Sequence, residues 1–212
     1  MKRKVRIIVF DMDGVLVKTK SSWTSIHKAF NIDERMTFKQ YLRGEFDYEE
    51  FMRKDIGFWG HVHIDKIREL LDQVPMMTGV EDAFNKLHEN DYVTAIISSG
   101  ISILAEKLKK ILGIHHVFAN ELLKDKNGFL TGEGNPVVPL WEKAKVLHQL
   151  LFKLSIKPEN CAVVGDSIFD IPLFDLAGFS IAFNSNDKRV RNIADVSIES
   201  EDLRDILPYF VL

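Results

Sequence analysis

The chain has 212 residues, 46% of them hydrophobic, and a net charge of −3. That length buries a full core in one domain, or in one domain with a small insert. The near balance of 28 basic and 31 acidic residues excludes a global field that would favour nucleic acid or an anionic membrane, and no apolar run approaches the ~20 residues of a membrane span.

Lys2, Arg3, Lys4 and Arg6 read as a solvated approach to a first strand, and the apolar run behind them is too short for a signal peptide. Val5 to Phe10 reads as that strand, and it runs out into Asp11-Met12-Asp13-Gly14-Val15-Leu16. Side chains two apart on an extended chain point the same way, so the two carboxylates are expected to share one small space. A divalent cation, a proton-transfer task or a nucleophilic role each justifies such a pair. Gly14 lets the backbone turn closely past whatever binds there. Asp-x-Asp-Gly also forms ordinary turns, so the motif alone leaves both readings open.

From Val17 to Val74 there is no convincing strand, and nine aromatic residues lie between Trp23 and Trp59. The segment reads as several short helices inserted after the first strand, over the end of the sheet where α/β proteins bind ligands. It is a candidate lid whose aromatics mostly form its own core. Val80, Ala83, Phe84 and Leu87 then recur at helical spacing, with Thr78 and Glu81 offering a capping box.

Tyr92 to Ile97 reads as a second strand ending in Ser98-Ser99-Gly100, with a helix following through Leu104, Leu108 and Ile111. A strand opening into a helix N-terminus presents free N–H groups that suit a phosphate. Simple N-capping by Ser99 or Ser102 is an equal alternative. Lys126-Asn127-Gly128, between Leu122-Leu123 and Phe129-Leu130, predicts a hairpin. Trp141-Glu142-Lys143-Ala144-Lys145 begins the next helix, which continues through Leu147, Leu150 and Leu154.

Cys161 to Val164 reads as a third strand and carries the one cysteine, expected to be buried and inert. No intrachain disulfide is possible, and a reducing, cytoplasmic setting is expected. The strand ends in Gly165-Asp166-Ser167-Ile168-Phe169-Asp170. If the chain turns helical there, both acids share one face, while Asp170 before Pro172 also fits a plain helix start. Phe179–Phe183 and Val196–Ile198 complete five apolar runs, and their alternation with helices argues for a parallel α/β sheet. Acids collected at its C-terminal edge suit Mg²⁺, which takes one or two carboxylates plus water and phosphate oxygen. His61, His63, His115 and His116 are expected to be structural or surface residues rather than metal ligands.

Asp11-Met12-Asp13-Gly14, Ser98 after an apolar strand, Lys143, and Gly165-Asp166 with Asp170 resemble, in order and spacing, the four motifs of the haloacid dehalogenase superfamily. Over essentially its whole length the chain is similar to the phosphoserine phosphatase-like branch. The resemblance implies a Rossmannoid parallel sheet with helices on both faces, built from residues 1–16 and 75–212. It implies a small helical cap of the C1 type, residues 17–74, inserted after the first strand. It further implies a Mg²⁺-dependent phosphatase of a small phosphate ester, with no nucleic acid or membrane partner; the oligomeric state is not legible.

By the same resemblance Asp11 is the nucleophile that forms an aspartyl-phosphate, and Asp13 is the acid that protonates the leaving alcohol and then the base that activates water. Ser98, with backbone N–H groups around Ser99 and Gly100, holds a phosphoryl oxygen, and Lys143 neutralises charge. Counting back from Asp166 selects Lys143 over Lys145. Mg²⁺ is implied at Asp11, the Asp13 carbonyl and Asp166, with Asp170 in support. Against phosphoserine-specific members, Lys20 stands at an acidic position, Asp55 at a cap arginine with Arg53 close by, and Phe169 at a small polar amide. A different substrate is therefore expected, with Lys20 suggesting a second anionic group and Trp23 or Trp59 a ring. A phosphomutase or sugar phosphotransferase, and a non-catalytic phosphate-binding module, are the competing readings.

Overall fold

Strand β1 (Ile7–Phe10) is buried along its whole length, as an unbroken apolar run in the middle of a covered sheet must be. It belongs to a computed structural model that describes residues 5–211; Lys2, Arg3 and Lys4 of the basic run lie outside the described residues. Four helices follow: α1 (Ser22–Ala29), α2 (Arg35–Leu42), α3 (Tyr48–Trp59) and α4 (Ile64–Asp72). The rest alternates as α5 (Val80–Glu89), β2 (Val93–Ile101), α6 (Ser102–Leu112), the hairpin β3 (His116–Lys124) and β4 (Leu130–Asn135), α7 (Lys143–Leu154), β5 (Cys161–Gly165), α8 (Ile171–Leu176), β6 (Phe179–Phe183), α9 (Lys188–Ile193) and β7 (Val196–Ile198). A 3₁₀ stretch, Leu203–Tyr209, buries Leu203 and Ile206, and Arg204 pairs with Asp82 of α5.

The strands form one sheet in the order β4-β3-β2-β1-β5-β6-β7, with β4 antiparallel to β3 and the other pairings parallel. Successive side chains of a strand face opposite sides, and the sheet accordingly has two cores. Ile8, Phe10, Ile96 and Val164 pack with Phe84 of α5 and Leu108 of α6. Ile7, Val9, Ile97 and Val163 pack with Leu147 of α7 and Leu173 of α8. Cys161 is buried, and burial pushes its thiol up to about 12. No helix among the described residues is long and apolar enough to cross a membrane.

The structure corrects three local expectations. β2 runs on to Ile101, past the expected end at Ile97, with an irregular register between those residues. β3 begins at His116, so what reads in sequence as a free hairpin is also a parallel sheet strand beside β2. The capping box at Thr78 and Glu81 does not form: the residue before α5 is Gly79 at φ 69°, without a side-chain cap, and Thr78 instead bridges to Asp202. A side chain on Gly79 would strike Asp202 and Arg204, so packing against the C-terminal stretch decides how this helix starts.

The four-helix insert has the expected aromatic core, with Phe51 of α3 stacked on Tyr41 at 4.9 Å and tilted against Phe38 and Tyr48. It also leans on the hairpin. Ile64 N–H donates to Gly128 O at 2.8 Å, and Leu130 N–H to Val62 O at 2.9 Å. Gly134 of β4 leaves room for Met52, whose Cε lies 2.5 Å from where a Cβ would stand.

One buried amide ties these layers together. Asn120 of β3 donates to Tyr48 Oη (2.9 Å) and Ser99 O (2.8 Å) and accepts from Val138 N–H (2.8 Å). Replacing it strands buried partners, which costs more than the bonds themselves contribute. Asn120→Ala is expected to lower stability by roughly 2–4 kcal/mol, read as a shift in urea midpoint at unchanged slope; a change under about 0.5 kcal/mol would show that these bonds are not needed.

Candidate active site

The register places the site. Phe10 aligns with Ile96 of β2 and Val164 of β5, and Asp11 N–H donates to Val164 O at 2.9 Å. The first polar residues past these points, Asp11, Ser98 and Asp166, therefore emerge at one edge of the sheet, where the strand order runs outward from β1 to β2 on one side and to β5 on the other, the usual ligand position of open α/β sheets.

Lys143, the first residue of α7, reaches into this edge and is 2% exposed. Its Nζ stands 3.1 Å from Asp11 Oδ2 and 2.6 Å from Asp170 Oδ1. Burial opposes the lysine's charge, but the two carboxylates outweigh it and raise the ammonium's pKa. Asp11 is itself raised by burial and by the Asp170 charge, while Lys143 and the Ser98 hydroxyl favour its ionised form. Asp170 Oδ2 accepts from Asp166 N–H (3.1 Å), Ser167 N–H (3.0 Å) and Ser167 Oγ (3.0 Å). Asp166 and Asp170 thus converge through a 3₁₀ turn, Ile168–Asp170, with Ser167 extended before it; the expected shared helical face is not how they meet. Asp170 then precedes α8, with proline in its first turn as anticipated.

Asp13 sits differently. Ser22, at the start of α1, donates its N–H and its hydroxyl to Asp13 Oδ2, each at 2.8 Å. Asp13 Oδ1 is buried without a partner. Burial, reinforced by the Asp11 charge and opposed by Ser22, brings this carboxyl up to about 7. Gly100 is required here: a Cβ on it would lie 2.7 Å from Asp13 Oδ2 and 2.8 Å from Ser22 Oγ. Gly14 is required too, at φ 81°, where a Cβ would stand 2.3 Å from Asp166 Oδ2.

Ligand oxygens of Asp11, Asp166 and Asp170 lie within 4.8 Å of one another, the one such group found among the described residues. Burial and then the Asp11 and Asp170 charges push Asp166 up to about 7. Three crowded carboxylates, with hard oxygen donors and one lysine between two of them, suit a divalent cation such as Mg²⁺. Asp170, already bonded through both oxygens, supports the group from behind. The histidines stay outside it: His63 caps α4, His61 stacks on Phe129, and His115 bonds Thr94.

A cavity of about 540 Å³ opens over these groups, lined by Asp11, Asp13, Ser98, Ser99, Gly100, Lys143 and Asp166 on one side and by residues of the helical insert on the other. Ser99 Oγ is buried there without a partner, whereas Gly100 N–H turns to Ser98 Oγ at 3.2 Å. Neither Ser99 nor Ser102 caps α6. Lys20 lines the cavity with its Nζ 2.7 Å from Asp166 Oδ2. Of the two tryptophans in the helical insert, Trp23 lines the cavity and Trp59 stacks on it at 5.5 Å. Arg53 bonds Glu50 and Glu133, while Asp55 lines the cavity. Phe169 also lines it, and Lys145 stays exposed beside Glu142. Sequence reasoning missed Ser22 and Asn120; nothing in the local pattern marks a helix-start serine or a strand asparagine as a site support.

The chain matches the model of the family described as haloacid dehalogenase-like hydrolase over residues 5–178. It is 32% identical to a phosphoserine phosphatase of Methanocaldococcus jannaschii over 99% of both chains, and 28% identical to one of Idiomarina loihiensis, covering 98% of this chain and 94% of that one. A solved structure described as a phospho-aspartyl intermediate analogue of phosphoserine phosphatase superposes with a TM-score of 0.83 at 30% identity, covering 97% of this chain and 99% of that one.

Asp13 gives a pH prediction. Its folded pKa of about 7 exceeds the reference 3.8, so between those values the folded state holds a proton that the unfolded state has lost. Stability from this group is therefore greatest at low pH and falls as pH rises through that window. In protein stripped of divalent ions, Asp13→Asn should gain on the order of 4 kcal/mol relative to the parent on going from pH 4 to pH 8, measured by urea denaturation. A pH-independent difference would contradict the burial argument.

Proposed function

The chain belongs to the haloacid dehalogenase-like hydrolases and to their phosphoserine phosphatase-like branch, and it is a phosphomonoester hydrolase; on that premise we propose a Mg²⁺-dependent phosphatase of a small phosphorylated metabolite other than phosphoserine, working through an aspartyl-phosphate. One observation carries the division of roles: Asp11 is held by Lys143 and Ser98, while Asp13 keeps one oxygen pinned by Ser22 and the other free.

Asp11 is the nucleophile. Its oxygen bonds to phosphorus as the ester oxygen leaves, and Asp13, protonated at a pKa of about 7, gives that oxygen its proton. Asp13 then takes a proton from the water that cleaves the aspartyl-phosphate and releases inorganic phosphate. Lys143 offsets the repulsion between carboxylate and phosphate, and the hydroxyls of Ser98 and Ser99 bear on the phosphoryl oxygens. Asp11, Asp166 and the Asp13 carbonyl would hold Mg²⁺, with Asp170 in support, and the ion supplies positive charge at the transferring phosphoryl group.

Residues 17–74 act as the cap domain over a core of 1–16 and 75–212, and the cap residues set the substrate. An acid at position 55 and a lysine engaged with Asp166 support a substrate other than phosphoserine. A phosphomutase gives isomerised sugar phosphate, whereas this reading gives inorganic phosphate.

Hydrolysis of p-nitrophenyl phosphate tests the reading. Activity should require Mg²⁺ and vanish with chelator; Asp11→Asn should remove turnover, and Asp13→Asn should lower kcat by about 10²- to 10⁴-fold. Full activity in chelator, or in Asp11→Asn, would contradict it.

A further inference from the structure

One charged group in the cavity has no part in the phosphoryl chemistry. Asp55, on α3, is 2% exposed, lines the cavity and leaves Oδ1 without a hydrogen-bond partner. A buried carboxylate is costly unless a cation or donors meet it on both oxygens. The indole N–H of Trp59 donates to His27 Nδ1 at 3.1 Å. An indole only donates, so Nδ1 accepts and Nε2 is the nitrogen left to face Asp55. That nitrogen stands 3.4 Å from Asp55 Oδ2, a long contact. It leaves Asp55 Oδ1 unmet.

The other cations of the cavity lining are paired elsewhere, except Lys39, an exposed residue of α2. Lys143 serves Asp11 and Asp170, and Lys20 serves Asp166. Arg35 is forked onto Asp33 at the exposed start of α2, and Arg53 pairs with Glu50 and Glu133. Glu34 also lines the cavity and adds to the negative field at Asp55, where burial is the larger cause of a raised pKa. The same cavity also carries the apolar side chains of Trp23, Phe38, Phe51, Leu140 and Phe169.

We propose that Asp55 determines specificity by receiving an ammonium group of the substrate, so that the substrate class is a phosphate monoester of an amino alcohol with an apolar stretch between amine and phosphate. The inference rests on the phosphatase reading and names the substrate class of that same site. A substrate carboxylate brought to Asp55 would be repelled, which disfavours phosphoserine.

Steady-state kinetics on the intact protein with Mg²⁺ tests it. The substrates are 2-aminoethyl, 4-aminobutyl and 6-aminohexyl phosphates, each against the alkyl phosphate of equal length, with p-nitrophenyl phosphate as a common reference. At one length the amine should raise kcat/KM by at least about tenfold, mainly through KM. Asp55→Asn, which keeps the shape and removes the charge, should bring that ratio close to one. The ratio in the unsubstituted protein decides the matter if the variant does not fold. Equal turnover of amine and alkyl esters at every length, with p-nitrophenyl phosphate still hydrolysed, overturns the inference and leaves the phosphatase reading standing. A preference that survives Asp55→Asn also overturns it. No hydrolysis of any ester, the reference included, overturns both.

Discussion

The ammonium of Lys143, buried between Asp11 and Asp170, constrains most of what surrounds it. Removing one member of such a cluster leaves an uncompensated charge out of water, a loss of about 3–5 kcal/mol, so the three residues hold their positions jointly. This fixes the start of α7 against the end of β1. It also fixes the turn after β5, because the Asp170 oxygen that does not face Lys143 gathers the Asp166 and Ser167 donors. The strand ends, the helix start and the turn thus form one electrostatic unit with a surplus of negative charge. On the proposed function, that surplus would give a divalent cation and a phosphate a common place to sit.

Two carboxylates two residues apart come to differ because their neighbours differ. Asp11 faces a cation and a hydroxyl; Asp13 takes two bonds from Ser22 on one oxygen and leaves the other buried without a partner. Ser22 is also the first residue of α1, so the helical insert begins with the group that orients Asp13. The insert meets the strand ends again at Ser99, whose carbonyl accepts from Trp23 Nε1 (3.0 Å) and Asn120 Nδ2 (2.8 Å). Displacing the insert would therefore disturb the orientation of Asp13, which links substrate enclosure to proton transfer.

Much of this was legible in the chain. The buried strands appear as apolar runs because both faces are covered, and the acids at their ends stand out because nothing in packing explains them. What escaped reading was decided by contacts distant in sequence. β3 has mixed burial and a polar Asn120, so its run carries no clean period; only the sheet edge at β2 makes it a strand. Thr78 and Glu81 spell a cap, yet Asp202 and Arg204 pack where the cap would form. The contact of Lys20 with Asp166 joins residues far apart in sequence, and Asp55, placed by the resemblance at a cap arginine position, shows its burial beside His27 only in the fold.

The central claim is that Asp11, and not Asp13, takes the phosphoryl group. Brief reaction with a phosphate ester and Mg²⁺, quenching, borohydride reduction of the acyl phosphate and peptide mass spectrometry test it directly. The account predicts conversion of the Asp11 side chain to that of homoserine, with Asp13 unchanged in the same peptide. Reduction at Asp13, or turnover with no reducible acyl phosphate at either position, would contradict it.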